Sequence, residues 1–142
     1  MKTIPRVARL ALGATTGLAL ILSGTTAATA STWELDDMDQ RICIHTTDGH
    51  WTYFLVQING SWSKVIQSKL ENLPPGFTSM DGLLVGPGSN PSRPGGQAIV
   101  QSLIEMKVAP LPVGTYTASL TATDGTETQS VPVTINVKVR CY

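Results

Sequence analysis

From Thr115 to Arg140 the chain alternates apolar and polar residues on both sides of one polar turn stretch, and few folds can accommodate such a pattern. Tyr116, Ala118, Leu120 and Ala122 fall between Thr115, Thr117, Ser119 and Thr121. After Asp124-Gly125, Val131, Val133, Ile135, Val137 and Val139 fall between Pro132, Thr134, Asn136, Lys138 and Arg140. Successive side chains of a strand point to opposite faces, so this stretch predicts a long hairpin with one buried face and one wet face. Pro132 has no N–H to give to a ladder, which places it at an edge or a bulge. Counting by twos from Val139 puts Cys141 on the core face.

The same period runs through the rest of the chain. Thr52, Phe54, Val56 and Ile58 alternate with Trp51, Tyr53, Leu55 and Gln57. Asn59-Gly60 follows, the pair best suited to a type I′ turn, and predicts a hairpin returning over about Ser61 to Gln67. Trp33-Glu34-Leu35 and Arg41 to Thr46 read as short strands, and Gln97 to Val108 as another, with Ile104, Met106 and Val108 inward. Cys43 and His45 share one face of their strand and Ile42 and Ile44 the other, so the buried side of that strand stays open. The stretch 73–96 carries five prolines and six glycines. A structureless loop of that length is uncommon in a compact domain. Gly82 to Gly86 therefore reads as a short edge strand, and Pro87 to Gly96 as a candidate functional loop.

Residues 1–30 carry the marks of an export signal. Lys2, Arg6 and Arg9 make a basic start, Leu10 to Leu22 an uncharged, largely apolar run, and Ala28-Thr29-Ala30 a small-residue cleavage site before Ser31. The apolar run is short of the about 20 residues that span a bilayer. Thr25 stands where a lipobox would place its acylated cysteine, so no lipid anchor is expected. The expectation is a signal peptide over 1–30 and one secreted, extracellular domain over 31–142, with no membrane attachment after cleavage. Without the signal, seven Lys and Arg face ten Asp and Glu, a charge of −3. That balance lacks the basic surface that phosphate binding needs, so no nucleic acid is expected. In an oxidising compartment the only two cysteines, Cys43 and Cys141, are expected to form a disulfide.

Around Leu111-Pro112-Val113-Gly114-Thr115-Tyr116 the chain resembles bacterial immunoglobulin-like domains, which carry a Pro-x-Gly-x-Tyr lead-in to the penultimate strand, an Asp-Gly turn and a Val-rich last strand. The resemblance spans Ala109 to Arg140. It implies a structural corner at Gly114 and Tyr116, with the Tyr hydroxyl capping an upstream backbone group. The cysteine positions depart from antibody domains, which join two central strands. Trp33 to Arg41, Cys43 and Leu73-Pro74-Pro75-Gly76 also resemble an uncharacterised family of small actinobacterial secreted proteins, from which no activity follows. The expected fold is an all-β, antiparallel immunoglobulin-like sandwich of about seven strands.

Chemistry is sparse. His45 and His50 are the only imidazoles, and neither sits in a nucleophile, zinc-protease or phosphate-loop motif, so no catalytic residue, enzyme activity or cofactor is expected. His45, Asp48 and His50 fall close together, but a polar loop explains them better than a metal does. Asp36, Asp37 and Asp39 lack the glycine and distal Glu of a calcium loop and read as a solvated turn. Asn59-Gly60-Ser61 matches a glycosylation sequon that turn geometry alone explains.

The aromatics carry the functional reading. Trp51 and Tyr53 share a strand face, and with Trp62 across the expected turn they form a candidate platform for a glycan or a protein partner. The competing reading puts Phe54 and Trp62 in the core. The leading expectation is an extracellular protein- or surface-binding module, followed by a carbohydrate-binding module. A protease inhibitor presenting Pro87 to Gly96 comes third, weakened because Pro94 follows Arg93.

Overall fold

The computed structural model describes residues 31–46, 49–80, 83–91 and 99–141. The expected signal at 1–30, Asp48, Gly82 and residues 92–98 of the Pro/Gly-rich stretch lie outside these. The described residues form eleven strands and no helix, more strands than the about seven expected, because several are only two or three residues long. The architecture is all-β.

A five-stranded sheet has the order β2-β11-β10-β5-β7, built from β2 (Arg41–His45), β11 (Thr128–Lys138), β10 (Gly114–Thr123), β5 (Ile66–Glu71) and β7 (Leu83–Val85). Opposite it lie two three-stranded sheets. One is β3 (Trp51–Val56), β9 (Ser102–Lys107) and β6 (Thr78–Ser79), in the order β3-β9-β6. The other is β1 (Trp33–Leu35), β4 (Ile58–Trp62) and β8 (Gly88–Asn90), in the order β1-β4-β8. All pairings are antiparallel except β2 with β11, which run parallel. Inward residues of every layer merge into one apolar cluster, with Phe54, Ile104 and Met106 on one side and Ile44, Leu120 and Ile135 on the other. The alternation read from sequence is that of the pleat.

The C-terminal hairpin forms as expected, with Thr123 opposite Thr128 across the Asp124-Gly125 turn. Asp124 Oδ1 accepts the N–H groups of Thr126 and Glu127, each at 2.8 Å, and these donors hold its carboxyl below the usual range. Pro132 lies opposite Ser119. The Thr134 N–H points toward β2, to the Gln40 carbonyl, so Pro132 aims its missing donor the same way. β2 begins only at Arg41, opposite Thr134, and the proline therefore sits at a local edge.

The middle of the chain departs from expectation. Asn59 and Gly60 do not turn the chain; they lie inside β4, opposite Glu34 and Trp33 of β1. The turn reading fails because a backbone approaches too closely at Gly60 for any other residue. Its φ is +94°, and a Cβ there would stand 2.3 Å from the Thr32 carbonyl oxygen. The expected return strand is thus part of β4, followed by a separate β5. β3 and β4 form one nearly continuous strand that changes partners at Gln57.

Where strands change partners, amide side chains stand in for missing peptide groups. Gln40 accepts the Leu55 N–H at 2.7 Å and donates to the Leu55 carbonyl at 2.9 Å. Gln101 does the same for Ile58 at 2.7 and 3.1 Å. Gln129 accepts the Leu35 N–H at 2.8 Å and donates to the Trp33 carbonyl at 3.0 Å. Each amide serves one backbone donor and one backbone acceptor at a break in the ladder. Gln101→Leu leaves the Ile58 N–H unpaired inside the core while Asn90 still serves the carbonyl at 3.0 Å. The expected cost is about 1–3 kcal/mol, read as a lower denaturation midpoint at unchanged m-value; an unchanged midpoint contradicts the assignment.

The Cys43–Cys141 disulfide is present, closing a separation of 98 residues. Its face differs from the expectation. Ile42 and Ile44 turn inward and Cys43 outward, while β11 ends at Lys138 and Val139 is exposed. The alternation stops with the strand, so Cys141 reaches Cys43 from outside the core. The bridge joins the second strand to the tail beyond the last.

Candidate functional site

The alternation in β3 sends Phe54 and Val56 into the core and Trp51, Tyr53 and Leu55 outward. Trp51 is 57% and Tyr53 53% exposed, unusual for rings of this size. Their cross-strand neighbours come from β9, not from a return strand: Trp51 stands opposite Lys107, Tyr53 opposite Glu105 and Leu55 opposite Leu103. Leu103 is itself exposed, as is Met80 just beyond β6, whose N–H donates to the Glu105 carbonyl at 3.0 Å. The outer face of this sheet thus presents Trp51, Tyr53, Leu103 and Met80 around the Glu105 and Lys107 side chains. Exposed aromatics beside charge are typical of recognition surfaces.

Trp62 does not belong to this face. It is only 7% exposed, sits in β4 opposite Gly88, and donates its indole N–H to the Gly86 carbonyl at 2.7 Å. Its ring packs where a Cβ on Gly88 would touch it at 3.6 Å. The core reading of Phe54 and Trp62 is the one the structure shows, and the three-ring platform reduces to two. Leu103 and Met80 were missed from sequence. The inward placing of Ile104, Met106 and Val108 already implied an outward Leu103, but the false turn concealed that β9 is the partner of β3.

Other candidates resolve into structural roles. Tyr116 donates its hydroxyl to the Pro112 carbonyl at 3.0 Å, and a Cβ on Gly114 would stand 3.3 Å from its ring. Gly114 and Tyr116 therefore make a closed corner. Asp39 pairs with Arg41 at 2.6 Å, Asp37 accepts the Asp39 N–H at 3.0 Å, and Asp36 accepts from Gln57 at 2.7 Å and Asn59 at 3.2 Å. The three carboxylates serve different partners. His45 Nδ1 lies 3.1 Å from the Val139 carbonyl. Among the described residues, no three His, Cys, Asp or Glu side chains gather as a metal site would require.

Shallow depressions also occur among the described residues. One of about 510 Å³ lies along the join of β1 and β4, between Trp33, Asn59 and Gln129. Another, of about 400 Å³, runs beside Trp62 between Pro87 and Ile99. Neither gathers a nucleophile and a base. The loop proposed for protease inhibition is described only to Pro91, and Arg93 and Pro94 lie outside the described residues.

A search of curated proteins finds no match for the chain. Residues 34–139, which contain the whole outer face and the first cysteine, match a family of unknown function, DUF5980, and the chain belongs to that family.

Proposed function

We propose that the protein is a secreted, non-catalytic module of immunoglobulin-like type that docks a protein or cell-surface partner on the outer face of the β3-β9-β6 sheet. The observation carrying this reading is that Trp51 and Tyr53 are each more than half exposed on one face. Leu103 and Met80 lie exposed beside them, while the other large aromatic side chains placed in the core, Trp33, Phe54, Trp62 and Phe77, are buried. Export is supported by the N-terminal sequence, and the immunoglobulin likeness by the Tyr116 corner. The absence of catalytic activity is an expectation from the sequence, in which neither His45 nor His50 sits in a nucleophile motif.

The double variant Trp51→Ala/Tyr53→Ala is expected to keep its stability within about 0.5 kcal/mol, because both side chains are surface groups. It is also expected to lose partner capture. A photo-crosslinker at Leu103, used in the producing culture, should trap one partner from the wild type and none from the double variant. Equal trapping by both proteins overturns the proposal. The carbohydrate reading draws on the same two rings, since flat apolar faces stack on sugars. Retention of the wild type on an insoluble polysaccharide, lost in Trp51→Ala, would favour it over a protein partner.

A further inference from the structure

The side chains of Trp51 and Tyr53 are only half of what β3 exposes; the other half is backbone. The direction of each peptide group in β3 follows from the bonds around it. The His50 carbonyl accepts from Val108, and the Val56 carbonyl accepts from Gln101, so the even-numbered residues face β9. Leu55 bonds the Gln40 side chain, and the Gln57 carbonyl accepts from Asp36, so the odd-numbered residues face the opposite edge. β1 covers that edge from Ile58 to Gly60 and Gln40 covers it at Leu55. At Tyr53 and Trp51 no neighbouring strand among the described residues covers it, since β3 pairs with β9 alone.

Edge strands are commonly blunted by charge, proline, bulges or shortness. The other edges here follow that rule. β1, β7 and β8 have three residues each and β6 has two, while β2 carries Arg41 and His45. β3 has six residues, Trp-Thr-Tyr-Phe-Leu-Val, with no charge and no proline. It is the longest edge strand of the described residues and the least defended.

We propose that a second copy of the chain pairs with this edge, β3 against β3, antiparallel about a two-fold axis through Thr52. Trp51 of each copy then stands opposite Tyr53 of the other. Both residues offer an N–H and a carbonyl outward, so each opposing pair exchanges two hydrogen bonds and the interface forms four. The donor and acceptor pattern is complementary to itself in this register. Centring on Tyr53 instead would need the Leu55 peptide groups that Gln40 already holds. A second copy fits better than a flexible foreign peptide, because its β3 is already ordered and avoids the entropic cost of fixing a flexible strand residue by residue. Edges of two free residues fall short of a permanent interface, so the dimer forms with rising concentration. The pairing uses peptide groups and leaves the ring faces outward. It goes beyond the docking proposed above and stands or falls separately from it.

Sedimentation velocity on the purified protein, from micromolar to millimolar, tests it together with amide hydrogen exchange. The expected result is a monomer–dimer equilibrium in which the Trp51 and Tyr53 amides gain protection as the dimer fills. The Thr52 and Phe54 amides, which face β9, should be protected throughout. Tyr53→Pro removes an outward donor without touching the β9 ladder and is expected to be monomeric, whereas Tyr53→Ala keeps the donor and still dimerises. Should the proline variant misfold, Trp51→Lys/Tyr53→Lys, which opposes like charges across the axis, must be monomeric in its place. A wild type that stays monomeric throughout, or a dimer whose Trp51 and Tyr53 amides exchange freely, overturns the proposal. Protection of those amides only on adding a different protein also overturns it and assigns the edge to a foreign strand.

Discussion

Gly60→Ala is expected to destabilise the protein by about 3–4 kcal/mol, combining a strained backbone with a steric clash. The backbone there has a φ of +94°, which an alanine adopts only with strain. The new Cβ would also stand 2.3 Å from the Thr32 carbonyl oxygen and 3.0 Å from the Trp33 Cα. Both are backbone atoms and cannot rotate aside, so β1 must lift from β4. That movement weakens the 2.8 Å bond from the Ser61 N–H to the Thr32 carbonyl and loosens the packing of buried Trp33. Gly125→Ala is the control. Its φ is also positive, but nothing lies within 4 Å of its Cβ, so only the conformational cost of about 1–2 kcal/mol applies. Denaturant titrations of the two variants should separate them clearly. Equal losses would mean that the contact with β1 contributes nothing.

Removing the disulfide with Cys43→Ala/Cys141→Ala is expected to cost about 2–5 kcal/mol, a large share of a stability that for small domains totals about 5–15 kcal/mol. Cys43 is exposed and Cys141 only partly buried, so the substitution opens no core cavity. The loss acts through the unfolded chain, which without a closure of 98 residues gains conformational freedom. Two signatures identify that origin. The near-UV spectrum of the folded variant should keep its native form, and the m-value should rise because the open chain exposes more surface. A variant as stable as the oxidised wild type would show that the β2–β11 pairing holds the ends together unaided.

The parts of this fold legible in the sequence are those where one strand has a single dry face. Tyr116 to Ala122 and Val131 to Val137 reveal their hairpin because their period never breaks. The disulfide needed only two cysteines and a compartment. Asn59-Gly60 misled because local turn preference says nothing about a neighbouring backbone: the glycine answers to Thr32, distant in sequence. One wrong turn then displaced Trp62 from the core to the surface and hid the pairing of β3 with β9. The amide side chains of Gln40, Gln101 and Gln129 were also invisible, since a glutamine that substitutes for a peptide group looks like any polar residue until its strand has a break to fill. The exposed rings were half visible: period 2 put Trp51 and Tyr53 on one face, but only the layered structure decides which face is wet.

The parallel pairing of β2 with β11 has a consequence for how the chain reaches its native state. β11 lies inside the five-stranded sheet, between β2 and β10, yet it is the last of the described strands in chain order. Long-range pairings of this kind raise contact order and slow folding. Until β11 docks, β2 lacks its neighbour and the sheet lacks an interior strand, so the chain stays pliable. A polypeptide wired this way is expected to tighten in one late, cooperative step, when two strands distant in sequence finally meet.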